Sequence, residues 1–145
     1  MLYVSENKKH SKKVVVDTSI LIAAVLVDGT YRKLLRKLLL IGFELYIPQE
    51  VIDEFQEIIK EDKFRKYEPL FIQIFEELRK SSILLPYTTN FKYRFPQSPE
   101  DEGIINCCVE YHVDYLITSD MKTLGQYNGL TVIFAQEFYA NFLAN

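Results

Sequence analysis

The most constraining feature of the sequence is an alternation between short apolar runs and longer segments with helical periodicity. Each short run is rich in β-branched or aromatic residues, as strands are, and the five runs are VVV (14–16), ELYI (44–47), ILL (83–85), YLIT (115–118) and TVIF (131–134). The helical patterns cover residues 19–26, 30–41, 49–61, 66–80, 99–112 and 136–143. Apolar strands that alternate with helices predict an α/β fold, with a parallel sheet of four or five strands and helices on both faces.

Length and composition predict a single domain. With 145 residues and 48% hydrophobic content, the chain can bury one core of ordinary size. We assign residues 13–145 to this domain and residues 1–12 to a polar N-terminal extension. The stretch MLYVSENKKHSKK lacks the apolar centre of a signal peptide, and the apolar run that starts at Val14 is too short for a membrane helix. We therefore expect a cytoplasmic protein with no membrane partner.

The cysteines and the net charge narrow the function only slightly. Cys107 and Cys108 are adjacent on a predicted helix and have no partners elsewhere, which predicts reduced core residues rather than a disulfide or a zinc pair. A net charge of −3 gives no simple argument for a nucleic-acid partner. If four of the acids bind a metal, however, the rest of the chain is near neutral, so a phosphate-bearing substrate is not excluded.

Two predicted strands end in aspartate. VVVDTS places Asp17 after the first strand, and YLITSD places Asp120 after the fourth. The carboxyl ends of parallel strands meet at one edge of a sheet, where α/β folds bind their ligands. We therefore expect Asp17 and Asp120 to lie close together, although each could instead be a helix N-cap.

Two predicted helices carry an acid on their apolar side. In IPQEVIDEFQEIIK the apolar stripe is Val51, Phe55, Ile58 and Ile59, and the opposite face is Glu50, Asp53, Glu57 and Lys60. Glu54 starts from the apolar stripe, although a long side chain can also reach water near a helix end. In SPEDEGIINCCVEYHVDY the stripe is Ile104, Ile105, Cys108 and His112, and it includes Asp101 rather than Glu100 or Glu102. Asp101 also fits a capping position after Ser98.

Four acids thus point inward or to the same sheet edge, namely Asp17, Glu54, Asp101 and Asp120. Two carboxylates about 5 Å apart repel by roughly 3 kcal/mol at an effective dielectric constant of 20, so four of them need cations. Ligation by oxygen alone suits Mg²⁺ or Mn²⁺ and leaves positions for substrate phosphates.

These residues resemble those of the PIN-domain ribonuclease family, which includes the VapC-like toxins of toxin–antitoxin pairs. The resemblance spans about residues 13–143 and rests on VVVDTSILIAA, YIPQEVIDEF, SPEDEGIINCCVEYHVDYLITSD and LTVIFAQEFYANFL. Two departures stand out. The family often has glycine where this chain has Ser119. The second departure is the segment from Phe64 to Ser81, a long predicted helix with EPLFIQIFEELRK, which the sequence assigns to neither substrate nor partner.

The resemblance implies a site and a reaction. Asp17, Glu54, Asp101 and Asp120 correspond to the acidic quartet that binds Mg²⁺ or Mn²⁺, and the hydroxyls beside it, which we expect to contact substrate, are Thr18, Ser19, Thr118 and Ser119. The implied reaction is hydrolysis of an RNA phosphodiester by a metal-activated water. The implied partners are an RNA substrate, an antitoxin protein and a second copy of the chain.

Two segments outside the quartet have patterns that suit RNA. NFKYRFP (90–96) alternates aromatic and basic residues, so Lys92 and Arg94 are candidate substrate contacts, although an edge strand or a packed loop has the same pattern. Helix 30–41 has a basic face, which is more often simply solvated, and it consists of Arg32, Lys33, Arg36 and Lys37.

Two function classes other than a nuclease are alternatives for this sequence. A phosphoacceptor domain would use Asp17 as nucleophile. A haloacid-dehalogenase-like site needs a second aspartate where this chain has Ser19, and a receiver-like site needs an acidic pair and a late lysine that do not fit. The alternative is a non-catalytic PIN-like module that binds RNA or acts as a scaffold. Loss of an acid would favour that alternative, and none is lost.

Overall fold

The computed structural model describes residues 12–27 and 29–144. The first half of the chain forms β1 (Lys13–Val16), α1 (Thr18–Leu26), α2 (Thr30–Ile41), β2 (Glu44–Pro48), α3 (Gln49–Ile59), a 3-10 helix (Asp62–Tyr67) and α4 (Glu68–Lys80). The second half forms β3 (Ser82–Leu85), a 3-10 turn (Pro99–Asp101), α5 (Glu102–Glu110), β4 (Tyr115–Thr118), β5 (Gly125–Tyr127), β6 (Leu130–Phe134) and α6 (Ala135–Phe138), which continues as a π-helix (Tyr139–Leu143). The predicted extension, residues 1–12, lies outside the described residues apart from Lys12.

The six strands form one sheet in the order β3-β2-β1-β4-β6-β5. Every pairing is parallel except that of β5 with β6. The three valines of β1 are all buried, as are Leu116, Ile117 and Thr118 of β4. Because successive strand residues point to opposite faces, the centre of the sheet is covered on both sides. This confirms the predicted α/β architecture.

The five predicted strands form the parallel part of the sheet, and β5 is an additional strand that the sequence analysis did not predict. β5 is antiparallel and joins β6 through a turn at Asn128 and Gly129, whose φ angles are 49° and 95°. Positive φ at both positions is what a two-residue Asn-Gly hairpin requires. The strand was missed because Gly125–Tyr127 has no apolar alternation, although the Asn-Gly pair was itself a hairpin signal.

Most predicted helices are confirmed, with corrections at their ends. The helix predicted over 99–112 begins as a 3-10 turn and becomes α-helical only from Glu102 to Glu110, and Ser98 makes no side-chain capping bond. The helix predicted from residue 66 follows a separate 3-10 helix and starts at Glu68. Among the described residues, none of the helices is both long and apolar enough to cross a membrane.

Glu50, which the periodicity places opposite the apolar stripe of its helix, makes a tertiary contact. Its Oε2 accepts a hydrogen bond from the backbone N–H of Thr88 at 2.9 Å, and its buried Oε1 has no partner among the described residues. The irregular segment after β3 therefore folds back over the start of α3. The periodicity of α3 alone cannot reveal such a contact.

The NFKYRFP segment is a packed loop, so the edge-strand alternative was wrong. The side-chain amide of Asn106 bonds both the N–H and the C=O of Tyr93, at 2.9 and 2.8 Å. The N–H of Phe95 donates to Glu102 at 2.8 Å. Helix α5 thus supplies the partners that a neighbouring strand would supply. On the same helix, Cys107 and Cys108 are buried and free, as predicted.

Candidate active site

Two strand ends bring Asp17 and Asp120 to the same edge of the sheet. β1 and β4 are parallel neighbours with Val16 opposite Ile117, and the N–H of Asp17 donates to the carbonyl of Ile117 at 3.0 Å. A cavity of about 620 Å³ opens there, and we call it the acid cleft. All four predicted acids line it: Asp17, Glu54, Asp101 and Asp120.

Asp17 is the most enclosed of these acids, with 3% of its surface exposed. Its Oδ1 accepts hydrogen bonds from the Ser19 hydroxyl at 2.5 Å and from the N–H of Ile20 at 3.4 Å. The second bond makes Asp17 the N-cap of α1, so capping and a place in the cleft are compatible. Burial, with a smaller contribution from the charge of Asp120, raises the pKa of Asp17 to about 6 despite these bonds.

Thr118 fixes Asp17 against the turn that follows β4. Its hydroxyl donates to Asp17 Oδ2 at 2.6 Å and accepts from the N–H groups of Asp120 and Met121 at 3.2 and 3.1 Å. Thr118 is fully buried and does not line the cleft. This placement corrects the expectation that Thr118 contacts substrate, because its hydroxyl is already used to position Asp17.

The three other predicted hydroxyl residues do line the cleft. Thr18 donates to Glu54 Oε1 at 2.5 Å, so the first turn of α1 holds Glu54 of α3. The hydroxyl oxygen of Ser19 accepts from the N–H of Ser119 at 3.1 Å. Thr18 and Ser19 thus hold site groups in place and also border the cavity.

Asp101 lies at the end of the 3-10 turn that precedes α5, and it is 7% exposed. Its Oδ2 accepts from the hydroxyl of Thr123 at 2.9 Å. Burial raises the pKa of Asp101, and the charges of Glu100 and Asp120 raise it further. Thr123 could not be identified from the sequence, since a threonine in a loop distant in sequence carries no pattern that would mark it.

The acid cleft carries a strong excess of negative charge among the described residues. Six carboxylates line it, from Asp17, Glu54, Glu61, Glu100, Asp101 and Asp120, against the two ammonium groups of Lys63 and Lys122. A polyanion such as RNA cannot approach this surface closely unless cations bind there first.

The donor set fits a hard divalent cation in chemical type. Carboxylate oxygens are the ligands that Mg²⁺ and Mn²⁺ prefer, and a cation would offset the charge that raises the pKa of Asp17 and Asp101. Within residues 12–27 and 29–144, however, no three acidic, histidine or cysteine side chains converge closely enough to hold an ion. The buried acids bond hydroxyls instead, so the fit rests on donor type and a shared cleft.

Lys92 and Arg94 are not brought together with the acids. Lys92 Nζ lies 5.7 Å from the centre of the Tyr93 ring, and Arg94 pairs with Glu102 at 3.1 Å. Neither residue lines the acid cleft, although Arg94 lines an adjoining cavity that shares Gln97, Ser98 and Lys122 with it. Arg94 is therefore placed to meet only a substrate that extends beyond the cleft.

The basic face of α2 is partly used in packing. Arg32 Nε donates to the carbonyl of Ala24 at 2.6 Å, and Lys37 Nζ donates to the carbonyl of Leu143 at 3.0 Å. These two side chains join α2 to its neighbours. The contacts favour a structural role for at least half of the four cations that the sequence placed on this face.

Comparison with known proteins places this geometry in a family. A family model described as PIN domain matches residues 13–122. A chain in the crystal structure of VapBC2 from Rickettsia felis, bound to a DNA fragment from their promoter, is similar to this chain with a TM-score of 0.64 and 13% identity. The match covers 84% of this chain and 98% of that one, and it shows the fold alone. No curated protein matches with significant similarity. Because the family model spans more than half of its residues, the chain belongs to the PIN-domain family.

Proposed function

We propose that the protein is a Mg²⁺- or Mn²⁺-dependent endoribonuclease that hydrolyses phosphodiester bonds of RNA. One observation carries the proposal: four carboxylates from four separate parts of the chain, Asp17, Glu54, Asp101 and Asp120, line a single cleft at the carboxyl edge of the sheet. Burial raises the pKa of two of them, Asp17 and Asp101, and acids with raised pKa values in a cleft are typical of functional sites.

In this proposal Asp17, Asp101 and Asp120 hold one or two divalent cations. Such a cation would lower the pKa of an attacking water and would bind the scissile phosphate. Hydrogen bonds from Thr118 and Thr123 keep Asp17 and Asp101 in place for that task.

Glu54 and the small hydroxyl residues complete the site. Thr18 holds Oε1 of Glu54, which leaves Oε2 to orient the attacking water. Ser119 directly precedes Asp120 in the chain and lines the cleft. In this proposal its hydroxyl donates a hydrogen bond to a phosphate oxygen. The larger side chain, where the family often has glycine, narrows the approach of that phosphate.

The direct test is incubation of the purified protein with a mixed RNA pool in Mn²⁺, in Mg²⁺ and in EDTA. The proposal predicts internal cleavage in either metal and none in EDTA. Equal cleavage in EDTA would contradict metal dependence.

The alternative is a PIN-like module that binds RNA without cutting it. One observation favours it, namely that the acids do not converge on an ion among the described residues. RNA binding without cleavage in either metal would support this alternative over the nuclease.

We extend the proposal to a toxin role with an antitoxin partner, because the chain shares its fold with a chain of the VapBC2 complex. Induced expression should arrest growth, and co-expression of a small DNA-binding protein encoded beside it should relieve the arrest. Unimpaired growth under strong expression would contradict the toxin role.

We propose separately that the protein forms a homodimer, as the family resemblance implies. Light scattering at tens of micromolar should give the mass of a homodimer. A monomer mass at that concentration would contradict it.

A further inference from the structure

Apolar residues line the acid cleft together with the acids, and we call this apolar set the apolar wall. Its side chains come from three helices and from the 3-10 helix Asp62–Tyr67, namely Ile22, Ala23, Leu26, Ile58, Phe64 and Ile104. A cavity of about 620 Å³ is within the size range of ligand sites, which combine apolar walls with a few placed polar groups. The acids are suited to cations and phosphate, and the apolar wall has no role in that chemistry.

Phe64 is the aromatic member of this wall, and packing holds it in place. Its ring meets that of Phe71 edge to face, with centroids 5.8 Å apart. Phe71 is fully buried and also contacts the rings of Phe55 and Tyr67, at 5.8 and 6.5 Å. The segment from Phe64 to Ser81, which the sequence assigns to neither substrate nor partner, therefore anchors one side of the cleft.

Lys63 places a positive charge at the same position. Its Nζ lies 5.1 Å from the centre of the Phe64 ring and 3.5 Å from Glu61 Oε1. Its side chain is 69% exposed, so it can turn from the ring to a phosphate. An aromatic face beside a mobile cation is the pairing that binds a base and its backbone in single-stranded nucleic acids.

We infer that Phe64 and the apolar wall bind one unpaired nucleobase next to the scissile phosphate. The inference rests on the proposed function, since it takes the acids as the place of the phosphate. A base that is paired and stacked in a duplex cannot turn its face to Phe64. A single strand can meet the acids and the apolar wall at once.

The test compares Phe64→Leu with Phe142→Leu. Leucine keeps apolar bulk against Phe71 but removes the aromatic face. Phe142 is also partly exposed and packed among rings, but it contacts Tyr115 at the opposite end of β4, which makes it a matched control. Binding of a short fluorescent single strand, and of the same strand in a duplex, is measured by anisotropy in Ca²⁺.

The wild type should prefer the single strand. Phe64→Leu should weaken single-strand binding at least fivefold, within the roughly 5- to 150-fold range for loss of a base–aromatic stack, and Phe142→Leu should not. An abasic site at one position of the strand should weaken binding to the wild type but add little in Phe64→Leu, because both changes remove the same contact. Thermal melts of both variants check folding.

Equal single-strand affinity in the two variants, or equal wild-type affinity for single strand and duplex, would overturn the inference. The proposed nuclease activity and the proposed base site can be refuted independently of each other. Phe64-dependent binding without cleavage in Mn²⁺ would refute the nuclease and keep the base site. Cleavage of both RNA forms at the same rate, unchanged in Phe64→Leu, would refute the base site and keep the nuclease.

Discussion

Two regions of the molecule hold carboxylates in opposite ways. In the acid cleft, Asp17 is bonded mainly by hydroxyls, and its pKa is raised by burial and, to a smaller extent, by the charge of Asp120. A second region, which we call the Thr88 cluster, consists of Glu50, Thr88, Thr89 and Glu110 and fastens the segment after β3 to α3 and α5. Glu110 accepts from the Thr88 hydroxyl and the Thr89 N–H at 2.8 and 3.1 Å, and these bonds lower its pKa.

The difference separates two uses of an acid. The charge of Glu110 is satisfied by donors of the chain itself, so this carboxylate joins structural elements. The charge of Asp17 is not satisfied, because burial and a neighbouring acid outweigh its hydrogen bonds. Such a group is suited to take up a cation.

The largest expected effect is on RNA cleavage by Asp17→Asn or Asp120→Asn. Each change keeps the shape of the side chain and removes a negative ligand. The rate in Mn²⁺ should fall more than about 100-fold, the upper range for loss of a group that merely supports a ligand. Glu110→Gln is the matched control and should cut at the wild-type rate. Equal losses in all three variants would erase the distinction between the two regions.

Thr118→Val should give the next largest effect. It removes the hydroxyl that holds Asp17 Oδ2 and should slow cleavage by about 10- to 100-fold, as loss of a group that orients a ligand does. Thr118→Ser keeps the hydroxyl and should restore most of the rate. If serine fails to rescue while both variants melt like the wild type, Thr118 does not act through that bond.

The pH dependence of stability should have opposite signs in the two regions. The folded-state pKa of Asp17 is raised from 3.8 to about 6, so the folded state binds this proton more tightly than the unfolded state does. The Asp17 contribution therefore lowers the free energy of unfolding as pH rises from about 4 to about 6, by roughly 3 kcal/mol at most.

Urea titrations in EDTA across this pH range measure that contribution. Asp17→Asn should remove the downward slope and unfold at higher urea than the wild type near neutral pH. Glu110 has a lowered pKa, so its contribution is present above its usual pKa and is lost as pH falls. Glu110→Gln should therefore reduce the fall in the free energy of unfolding at acidic pH. Identical pH profiles for the two variants would contradict the assignment.

The smallest effect concerns the thiols beside the Thr88 cluster. Burial, with smaller contributions from the charges of Glu50 and Glu110, raises the pKa of Cys107 to about 12. Burial raises the pKa of Cys108 as well. At pH 8 iodoacetamide should therefore label neither thiol in the folded protein, and both in guanidinium, because the thiolate is the reactive form. Rapid labelling of the folded protein would show that this region opens readily.

Apolar runs and helical periodicity in the sequence were enough to predict the five parallel strands of the sheet and the four acids of the cleft. Asp17 and Asp120 were found because each ends an apolar run, and Asp101 because it interrupts the apolar side of a helix. These signals are local, and the edge of a parallel sheet turns them into neighbours.

The contacts that the sequence did not reveal are those made by irregular segments. Thr123 reaches Asp101 from a loop, and Thr88 reaches Glu50 from the segment after β3. Phe64 lies on a short 3-10 helix, where helical periodicity gives no indication of the side that it faces. The path of such segments depends on tertiary packing, so residue order alone does not predict their partners.

The most direct test of a metal site in the acid cleft is a melting experiment with Mn²⁺. A ligand present at 100 times its dissociation constant adds about 2.7 kcal/mol to the free energy of unfolding. Wild type and Glu110→Gln should therefore gain melting temperature as Mn²⁺ is added, whereas Asp17→Asn should melt higher than the wild type without metal and gain little with it. Two results would contradict the account: a wild-type melting temperature that does not change with Mn²⁺, or a rise for Asp17→Asn that equals the rise for the wild type.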